Sequence, residues 1–459
     1  MRTYLYLLTV LVLALSACAA PAAAPAAEQA AAPAEAAAPA APAAEGVSLS
    51  IHWFAWQPCD LLNEISKDYT KETGVKIEVL CTPYPQWHDR VFTDFAARGG
   101  TDMIVIDSQW VGEAVVGGHL VELTDWMKAN LDLSDFSPQA LQAYGEYPFG
   151  SGKYYGVALE QDTEVLFYRK DLFADPKEQE AFKAKYGRDL TVPKTWSELL
   201  EVAQFFYRPE QGLYGFATKW DGTKGSDVAA TDWNHILWSF GGELWDPETM
   251  QIEGVLNNEV GVKALQFAQE LFKTAAPGAG KFSFTEVNET VCTGSTVMGI
   301  NWFGFMPATT DPASCAQAAN IGYAVVPGEV EHYISLGGMG ITLSNYSKNK
   351  EQALDYLKWL FSKDTQWKWA RGGGFTPLLS ILNDPEFTKL TPYNHVFPES
   401  IPLVRDFWNL PEYAQMLEIQ QEYLNLAITG QMDAKEALDT IARKQQEIID
   451  AAYPDRPKP

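Results

Sequence analysis

The chain has 459 residues and a formal net charge of −25 at pH 7, because 59 acidic side chains outnumber 34 lysines and arginines. This acidity argues against nucleic acid and against an anionic membrane surface as binding partners. The body of the chain, residues 46–459, is longer than a chain that usually folds around a single hydrophobic core. The length therefore predicts two lobes.

The N-terminal part is predicted to be a targeting segment followed by a spacer. Residues 3–17 are apolar and uncharged but too short for a membrane span of about 20 residues, which is typical of a signal peptide over residues 1–17. The sequence LSAC at residues 15–18 resembles the lipobox of bacterial lipoproteins, which implies that Cys18 is acylated; ordinary secretory cleavage is the alternative. The Ala- and Pro-rich residues 18–45 are expected to form an extended tether. We therefore expect an exported protein, lipid-anchored at the outer face of the cell membrane.

The first elements of the body predict a βαβ unit that carries two of the cysteines. The pattern indicates a strand over residues 48–54, a helix that stops at Gly74, and a strand over residues 76–80. Because both parallel strands end at the same edge of the sheet, Cys59 and Cys81 are expected to lie close together and to form a disulfide.

The remaining cysteines, Cys292 and Cys315, have almost the same spacing as the first two. Four cysteines allow three pairings, and the spacings favour two local bridges, Cys59–Cys81 and Cys292–Cys315. A metal site is the competing interpretation. The sequence contains no CxxC and no two histidines at helical spacing, so neither a metal nor another cofactor is predicted.

Short apolar strands alternate with amphipathic helices along most of the chain. Residues 195–198 and 433–436 match the capping-box pattern that begins a helix. This alternation predicts an α/β fold with parallel strands. The further strand candidates are residues 102–107, 154–159, 163–169, 214–218, 296–301, 321–326 and 340–344.

Aromatic, carboxylate and amide side chains recur where these strands end, which is where open parallel sheets bind ligands. Aromatic rings stack on the apolar C–H faces of a sugar, while carboxylates and amides bond its hydroxyls. The pattern therefore predicts a carbohydrate site, although ordinary core packing is the alternative for each aromatic residue. The candidate ligand-binding residues are Trp53, Trp56, Tyr84, Trp87, Asp107, Gln109, Trp110, Glu160, Asp162, Trp233, Asn234, Trp302 and Phe303.

Several longer segments, taken in order, resemble one protein family. They include SIHWFAWQP, TDMIVIDSQWVGEAVVGGHLVELTDWM, EVLFYRKDLF, VPKTWSELLEVAQFF, VMGINWFGFM and GGMGITLSNYSKNKEQALDYLKWLFSKDTQ. Behind a lipobox, this series is similar to the family 1 extracellular solute-binding proteins, the receptors of bacterial ABC importers that include maltose-binding protein. The resemblance covers nearly all of residues 47–452.

The resemblance implies a two-lobed, type II periplasmic-binding-protein-like fold with the ligand in the cleft between the lobes. It implies an N-terminal lobe of residues 46–161 plus 326–367 and a C-terminal lobe of residues 162–325 plus 368–459. Hinges are expected near residues 161–164, 323–327 and 367–371.

For the site, the resemblance implies that Asp162 contacts the ligand at the crossover between the lobes. Met339 occupies a position where many members carry Trp, and Gly304 falls near a position that often carries a stacking aromatic residue. The implied partners are a small-molecule carbohydrate and the membrane subunits of an ABC permease, and the protein is expected to act as a monomer without catalysis.

Two alternatives stay open at this level. The cargo could be a polyol or a glycerol-phosphate-type solute, although phosphate would favour Arg or Lys in the cleft. A secreted glycoside hydrolase is the alternative from another class, because Glu160 and Asp162 are two residues apart on a strand and would share a face. The GxSxG, HExxH and P-loop patterns are absent from the sequence, which disfavours other common chemistries.

Overall fold

The computed structural model describes residues 46–406 and 409–457. The predicted signal peptide, Cys18 and the whole of the tether lie outside the described residues. Within the described part, no helix is both long and apolar enough to cross a membrane.

The described chain alternates between strands and helices as predicted. The strands are β1 (Ser48–Phe54), β2 (Lys76–Thr82), β3 (Met103–Asp107), β4 (Gly156–Arg169), β5 (Tyr214–Ala217), β6 (Thr296–Trp302), β7 (Ile321–Ala324), β8 (Ile334–Leu343) and β9 (Val404–Arg405). The helices are α1 (Gln57–Thr73), α2 (Tyr84–Ala96), α3 (Val111–Val116), α4 (Thr124–Asn130), α5 (Pro138–Gly145), α6 (Lys170–Ala174), α7 (Pro176–Tyr186), α8 (Trp196–Phe206), α9 (Val228–Ser239), α10 (Glu259–Phe272), α11 (Phe284–Thr293), α12 (Pro307–Thr310), α13 (Lys350–Leu360), α14 (Lys363–Arg371), α15 (Leu379–Leu382), α16 (Phe397–Ser400), α17 (Tyr413–Ile428) and α18 (Ala434–Ala452).

The strands run in the order β2-β1-β3-β8-β4-β6-β5, with β7 beside β4 and β9 beside β8. The pairs β1–β2, β1–β3 and β5–β6 are parallel as predicted. However, β8 is antiparallel to both β3 and β4, and β4 is antiparallel to β6 and β7. The prediction of parallel strands therefore holds for the first three pairs and not for the others, and the sheet is mixed.

Strand β4 merges two predicted strands and joins two parts of the sheet. Its residues 156–163 pair with β8, whereas residues 164–169 pair with β6 and β7. The polar residues Glu160, Gln161 and Asp162 suggested a break, but all three are buried and lie opposite the Gly-rich segment of β8. The change of partner strands thus falls between residues 163 and 164, within the range predicted for a hinge.

The predicted lobe boundaries stay a prediction. The boundary between residues 161 and 162 lies two residues before the change of partner strands in β4. The boundary between residues 367 and 368 falls inside the uninterrupted helix α14, where Trp369 stacks on Trp53 of β1 with ring centroids 6.2 Å apart. The start of this C-terminal segment therefore packs against the first lobe.

The predicted disulfides are confirmed. Cys59 lies in the first turn of α1 and is bonded to Cys81 on β2. The start of this helix and the end of β2 meet at one sheet edge, as the βαβ argument requires. Cys292 near the end of α11 is bonded to Cys315.

Gly338 on β8 is a position where only glycine fits. Its φ is +98°, and a Cβ built there would lie 2.0 Å from the Glu160 carbonyl oxygen. Gly118 provides a matched control, because its φ is +71° but a Cβ would meet nothing within 4 Å. We expect Gly118→Ala to lower the free energy of unfolding by about 1–2 kcal/mol, and Gly338→Ala by about 2–5 kcal/mol because backbone overlap is added. Urea unfolding of both variants measures this difference, and equal losses would contradict it.

Candidate functional site

A cavity lies where the ends of β1, β3 and β6 meet the crossing strands β4 and β8. Its free volume is about 40 Å³, on the order of a few water molecules, which is smaller than a sugar. The fourteen lining residues are Phe54, Trp56, Tyr84, Asp107, Asp162, Asp227, Thr231, Phe284, Trp302, Phe305, Leu336, Gly337, Gly338 and Met339.

Aromatic rings from both lobes face each other across this cavity. Phe54 stacks on Trp56 with ring centroids 4.6 Å apart, and Phe284 stacks on Phe305 at the same distance. The two pairs meet through Trp56 and Phe305, whose centroids are 6.0 Å apart, and through Tyr84 and Phe284 at 5.9 Å. Each lobe therefore presents flat apolar faces of the kind that stack on a sugar ring.

Three carboxyl groups share the cavity with these rings. Asp107 ends β3, Asp162 lies on β4, and Asp227 precedes α9. Burial, together with repulsion from Asp227, raises the pKa of Asp107 well above its ordinary value. Burial also raises the pKa of Asp227. The carboxyl groups therefore hold protons more tightly than exposed aspartates do.

Asp162 is fixed by the backbone around it. Its Oδ1 accepts a hydrogen bond from the Thr163 amide at 2.8 Å, and its Oδ2 accepts one from the Gly304 amide at 3.2 Å. These bonds cross from β4 to the segment after β6. A Cβ on Gly304 would lie 2.7 Å from the Trp56 ring and 3.0 Å from the Asp162 carboxylate, so glycine here keeps the space between those two side chains.

The stability of the protein is expected to depend on pH through Asp162. Burial raises its pKa from 3.8 to about 8, against the lowering effect of hydrogen bonds from backbone amides, of which those of Thr163 and Gly304 are the largest. The folded state then holds a proton that the unfolded state releases, so this contribution is complete below pH 3.8 and is lost as pH rises to about 8. Relative to Asp162→Asn, the free energy of unfolding should fall by up to about 1.4 kcal/mol per pH unit. Urea unfolding at several values between pH 5 and pH 8 tests this, and parallel curves for the two proteins would contradict it.

Six of the fourteen predicted site residues line the cavity, and eight lie outside its lining. The six are Trp56, Tyr84, Asp107, Asp162, Trp302 and Met339. The eight are Trp53, Trp87, Gln109, Trp110, Glu160, Trp233, Asn234 and Phe303.

The predicted tryptophans outside the lining are core residues. Trp53 is fully buried, stacks on Trp369 and packs edge-on against Trp56. Trp87 packs against Trp110 with centroids 4.3 Å apart and lies beneath Phe54. These residues hold the cavity wall from behind.

The predicted polar residues outside the lining have partners in the protein. Glu160 accepts hydrogen bonds from the Trp369 indole at 2.8 Å and the Phe375 amide at 2.9 Å, so it does not share the cavity with Asp162. The Asn234 side-chain oxygen accepts from Gln420 at 2.7 Å. Gln109 lies just behind the cavity wall, with Nε2 3.4 Å from Asp227 Oδ2.

Two further residues lie in aromatic or apolar clusters. Trp233 is fully buried among the side chains around α8, α10 and α17. Phe303 packs edge-on against Phe375 and Phe397.

Sequence reasoning missed several lining residues. Phe54 and Phe305 stood at strand ends without being chosen, and Asp227 and Thr231 lie at the start of α9, before the predicted residues Trp233 and Asn234. All twelve residues of α9 are buried, so its sequence has no polar face that would show which end reaches the site. The other missed residues are Phe284, Leu336, Gly337 and Gly338.

A buried ionic network supports the cavity behind Trp302. Lys219 Nζ lies 2.8 Å from both Glu164 Oε1 and Asp232 Oδ1, and all three side chains are fully buried. His235 Nδ1 lies 2.5 Å from Glu164 Oε2. Burial alone would raise the pKa of Glu164, but Lys219 and His235 hold it well below its usual range.

Lys219 also contacts the back of the site. Its Nζ lies over the Trp302 ring, 5.4 Å from the centroid. Because two carboxyl groups already surround this ammonium, its charge is matched within the protein.

Comparison with known proteins gives a consistent family. Residues 60–367 match the family described as bacterial extracellular solute-binding protein. A probable amino-acid ABC transporter periplasmic-binding protein from Sinorhizobium fredii is 25% identical over 335 residues, covering 72% of this chain and 72% of that protein. The maltotriose-binding protein of Pyrococcus abyssi is 24% identical over 339 residues, covering 73% of this chain and 67% of the relative.

Solved structures share the fold. An ABC transporter solute-binding protein from Agrobacterium radiobacter K84, in complex with ribitol, superposes with a TM-score of 0.76 and 26% identity, covering 89% of this chain and 100% of that chain. The predicted two-lobed, type II fold is confirmed by this likeness. Because the family match also spans more than half of the sequence, the chain belongs to the bacterial extracellular solute-binding proteins.

Proposed function

We propose that the protein is the substrate-binding receptor of an ABC importer and captures a carbohydrate or polyol outside the membrane. The observation that carries this proposal is the cavity itself, in which stacked rings from both lobes surround three carboxyl groups. Rings supply apolar faces and carboxyl groups bond hydroxyls, which are the two surfaces of a sugar. The maltotriose-binding relative and the ribitol-bound structure support the same cargo class.

Ligand capture follows from the position of the cavity between the lobes. A solute that contacts Trp56 on one side and Phe305 on the other binds the closed arrangement better than an open one. Residues 163–164 of β4 and the segment between β7 and β8 connect the lobes and are the proposed hinges. The permease would recognise the closed form, and acylated Cys18 with its tether would keep the monomeric receptor at the membrane.

The alternatives fit the cavity less well. Among the lining residues that the structure describes, none is Lys or Arg, so a phosphate group or the carboxylate of an amino acid would lack a cationic partner there. For a glycoside hydrolase, the suspected pair is separated, because Glu160 bonds Trp369 and Phe375 in the core while Asp162 lines the cavity. The cavity therefore fits a non-catalytic receptor better than it fits these alternatives.

A thermal-shift screen tests the proposal. The purified, ligand-free protein is heated with neutral sugars, amino sugars, polyols, glycerol phosphates and amino acids. A ligand at 100 times its Kd should add about 2.7 kcal/mol of stability. Stabilisation by a sugar or polyol supports the proposal, whereas stabilisation by glycerol phosphates or amino acids alone would overturn the cargo class.

A further inference from the structure

We infer that the carbohydrate or polyol bound in this cavity carries a protonated amine. The inference rests on the proposed receptor function and deepens it, because it names the charge of the cargo. Three features support it: the carboxyl groups of the cavity lining, its ring faces and, just behind the lining, an acceptor without a donor.

The first feature is a set of three carboxyl groups with no cationic side chain in the cavity lining. Asp107, Asp162 and Asp227 line the cavity, and the described lining contains no Lys, Arg or His. Lys219, behind Trp302, is paired with Glu164 and Asp232; its charge also lowers the pKa of Asp227, but burial outweighs this effect and the pKa is raised. A cation on the ligand would supply a countercharge within the cavity, whereas a neutral ligand would leave these carboxyl groups with hydrogen-bond donors only.

Another acidic side chain lies close to these carboxyl groups. Asp406 Oδ1 accepts a hydrogen bond from Ser108 Oγ at 3.2 Å, and its charge contributes to the raised pKa of Asp107, after burial and Asp227. The charge of Asp227 raises the pKa of Asp107, and both carboxyl groups face one cavity. An ammonium between them would let both ionise, with release of protons to solvent.

The second feature is the wall of ring faces. Six of the lining residues are Phe, Tyr or Trp. The face of an aromatic ring carries negative electrostatic potential and attracts an ammonium group, and this attraction is strongest where water is excluded. The ring faces therefore attract a positive charge on the ligand, as ionised carboxyl groups would.

The third feature is Gln109, which is 4% exposed. Its Nε2 lies 3.4 Å from Asp227 Oδ2, while its Oε1 has no hydrogen-bond partner among the described residues. An acceptor without a donor thus lies beside acidic groups that lose their own O–H donor and become stronger acceptors when they ionise. An ammonium donates hydrogen bonds and accepts none, which suits this set better than a hydroxyl.

Matched ligands test the inference by isothermal titration calorimetry at pH 7. The series are glucose, glucosamine and N-acetylglucosamine, and sorbitol with 1-amino-1-deoxysorbitol. We expect the amine to bind at least about tenfold more tightly than its hydroxyl counterpart, and acetylation to remove the gain. Titrations in buffers of different ionisation enthalpy should show proton release with the amine and none with the hydroxyl form.

Variants show whether the carboxyl groups carry the preference. Asp107→Asn and Asp227→Asn should each reduce the amine-to-hydroxyl ratio severalfold, and Asp189→Asn, at an exposed ion pair with Lys183, should leave it unchanged. A hydroxyl ligand that binds as tightly as its amine, or a ratio unchanged in both cavity variants, overturns this inference but leaves the receptor function intact. If no member of these series and no sugar or polyol in the screen binds, the proposed function itself is overturned.

Discussion

Lys219→Met is expected to lower the free energy of unfolding by about 3–5 kcal/mol, because it removes one partner of a buried ion pair and leaves the other uncompensated. Glu164 is fully buried and is paired with Lys219 and His235. Without the ammonium, its carboxylate must take up a proton or remain charged in the core. Asp232 loses the same partner and loosens the start of α9, which forms part of the cavity wall.

Urea unfolding at pH 7 measures this loss. The matched control is Lys224→Met, because Lys224 is 82% exposed and pairs with Glu418 on the surface; this change should cost no more than about 1 kcal/mol. The double variant Lys219→Met, Glu164→Gln should regain part of the loss, since the unpaired carboxylate is gone. A loss from Lys219→Met no larger than that of the control would show that the network does not stabilise the fold.

Trp56→Ala is expected to weaken ligand binding, whereas Trp87→Ala is expected to lower the stability of the fold. The sequence analysis predicted ligand binding for both residues. Trp56 lines the cavity and faces Phe305, so its removal should weaken binding of the cargo by about 1.5–3 kcal/mol, roughly 10- to 150-fold. Trp87 is fully buried against Trp110. Its removal should lower the free energy of unfolding by about 3–5 kcal/mol.

The two variants are compared by calorimetry with the ligand that the screen identifies and by urea unfolding. Trp367→Ala is the control for binding, because Trp367 lies on α14 outside the cavity, beneath the Arg371 guanidinium. An unchanged affinity in Trp56→Ala would remove this residue from the site. An unchanged unfolding free energy in Trp87→Ala would contradict its place in the core.

Local patterns in the sequence determined the first βαβ unit. Strand β1 spans residues 48–54 as predicted, and α1 ends at Gly74, which adopts a left-handed conformation with φ 78°. Both disulfides also followed from local spacing. These features were predictable because alternation, helix stops and short loop closures depend on residues close together in the chain.

The sequence also identified the chemistry of the site without selecting all of its members. Among the predicted residues that line the cavity, four lie at or just after the end of a strand, and one lies within β4: Trp56, Tyr84, Asp107 and Trp302, and Asp162. Their roles in binding stay predictions until a ligand is found.

Tertiary structure decided which side chains face the ligand, because that choice depends on contacts between distant segments. Glu160 and Asp162 are only two residues apart. Glu160 accepts hydrogen bonds from Trp369 and Phe375 in the core. Asp162 lines the cavity, where Gly304 leaves space beside its carboxylate. The antiparallel course of β8 likewise depends on the chain returning from the second lobe. Such packing depends on the whole chain. Local sequence patterns therefore determined the helices and strands, the disulfides and the class of site. Only the tertiary structure decided which side chains line the cavity.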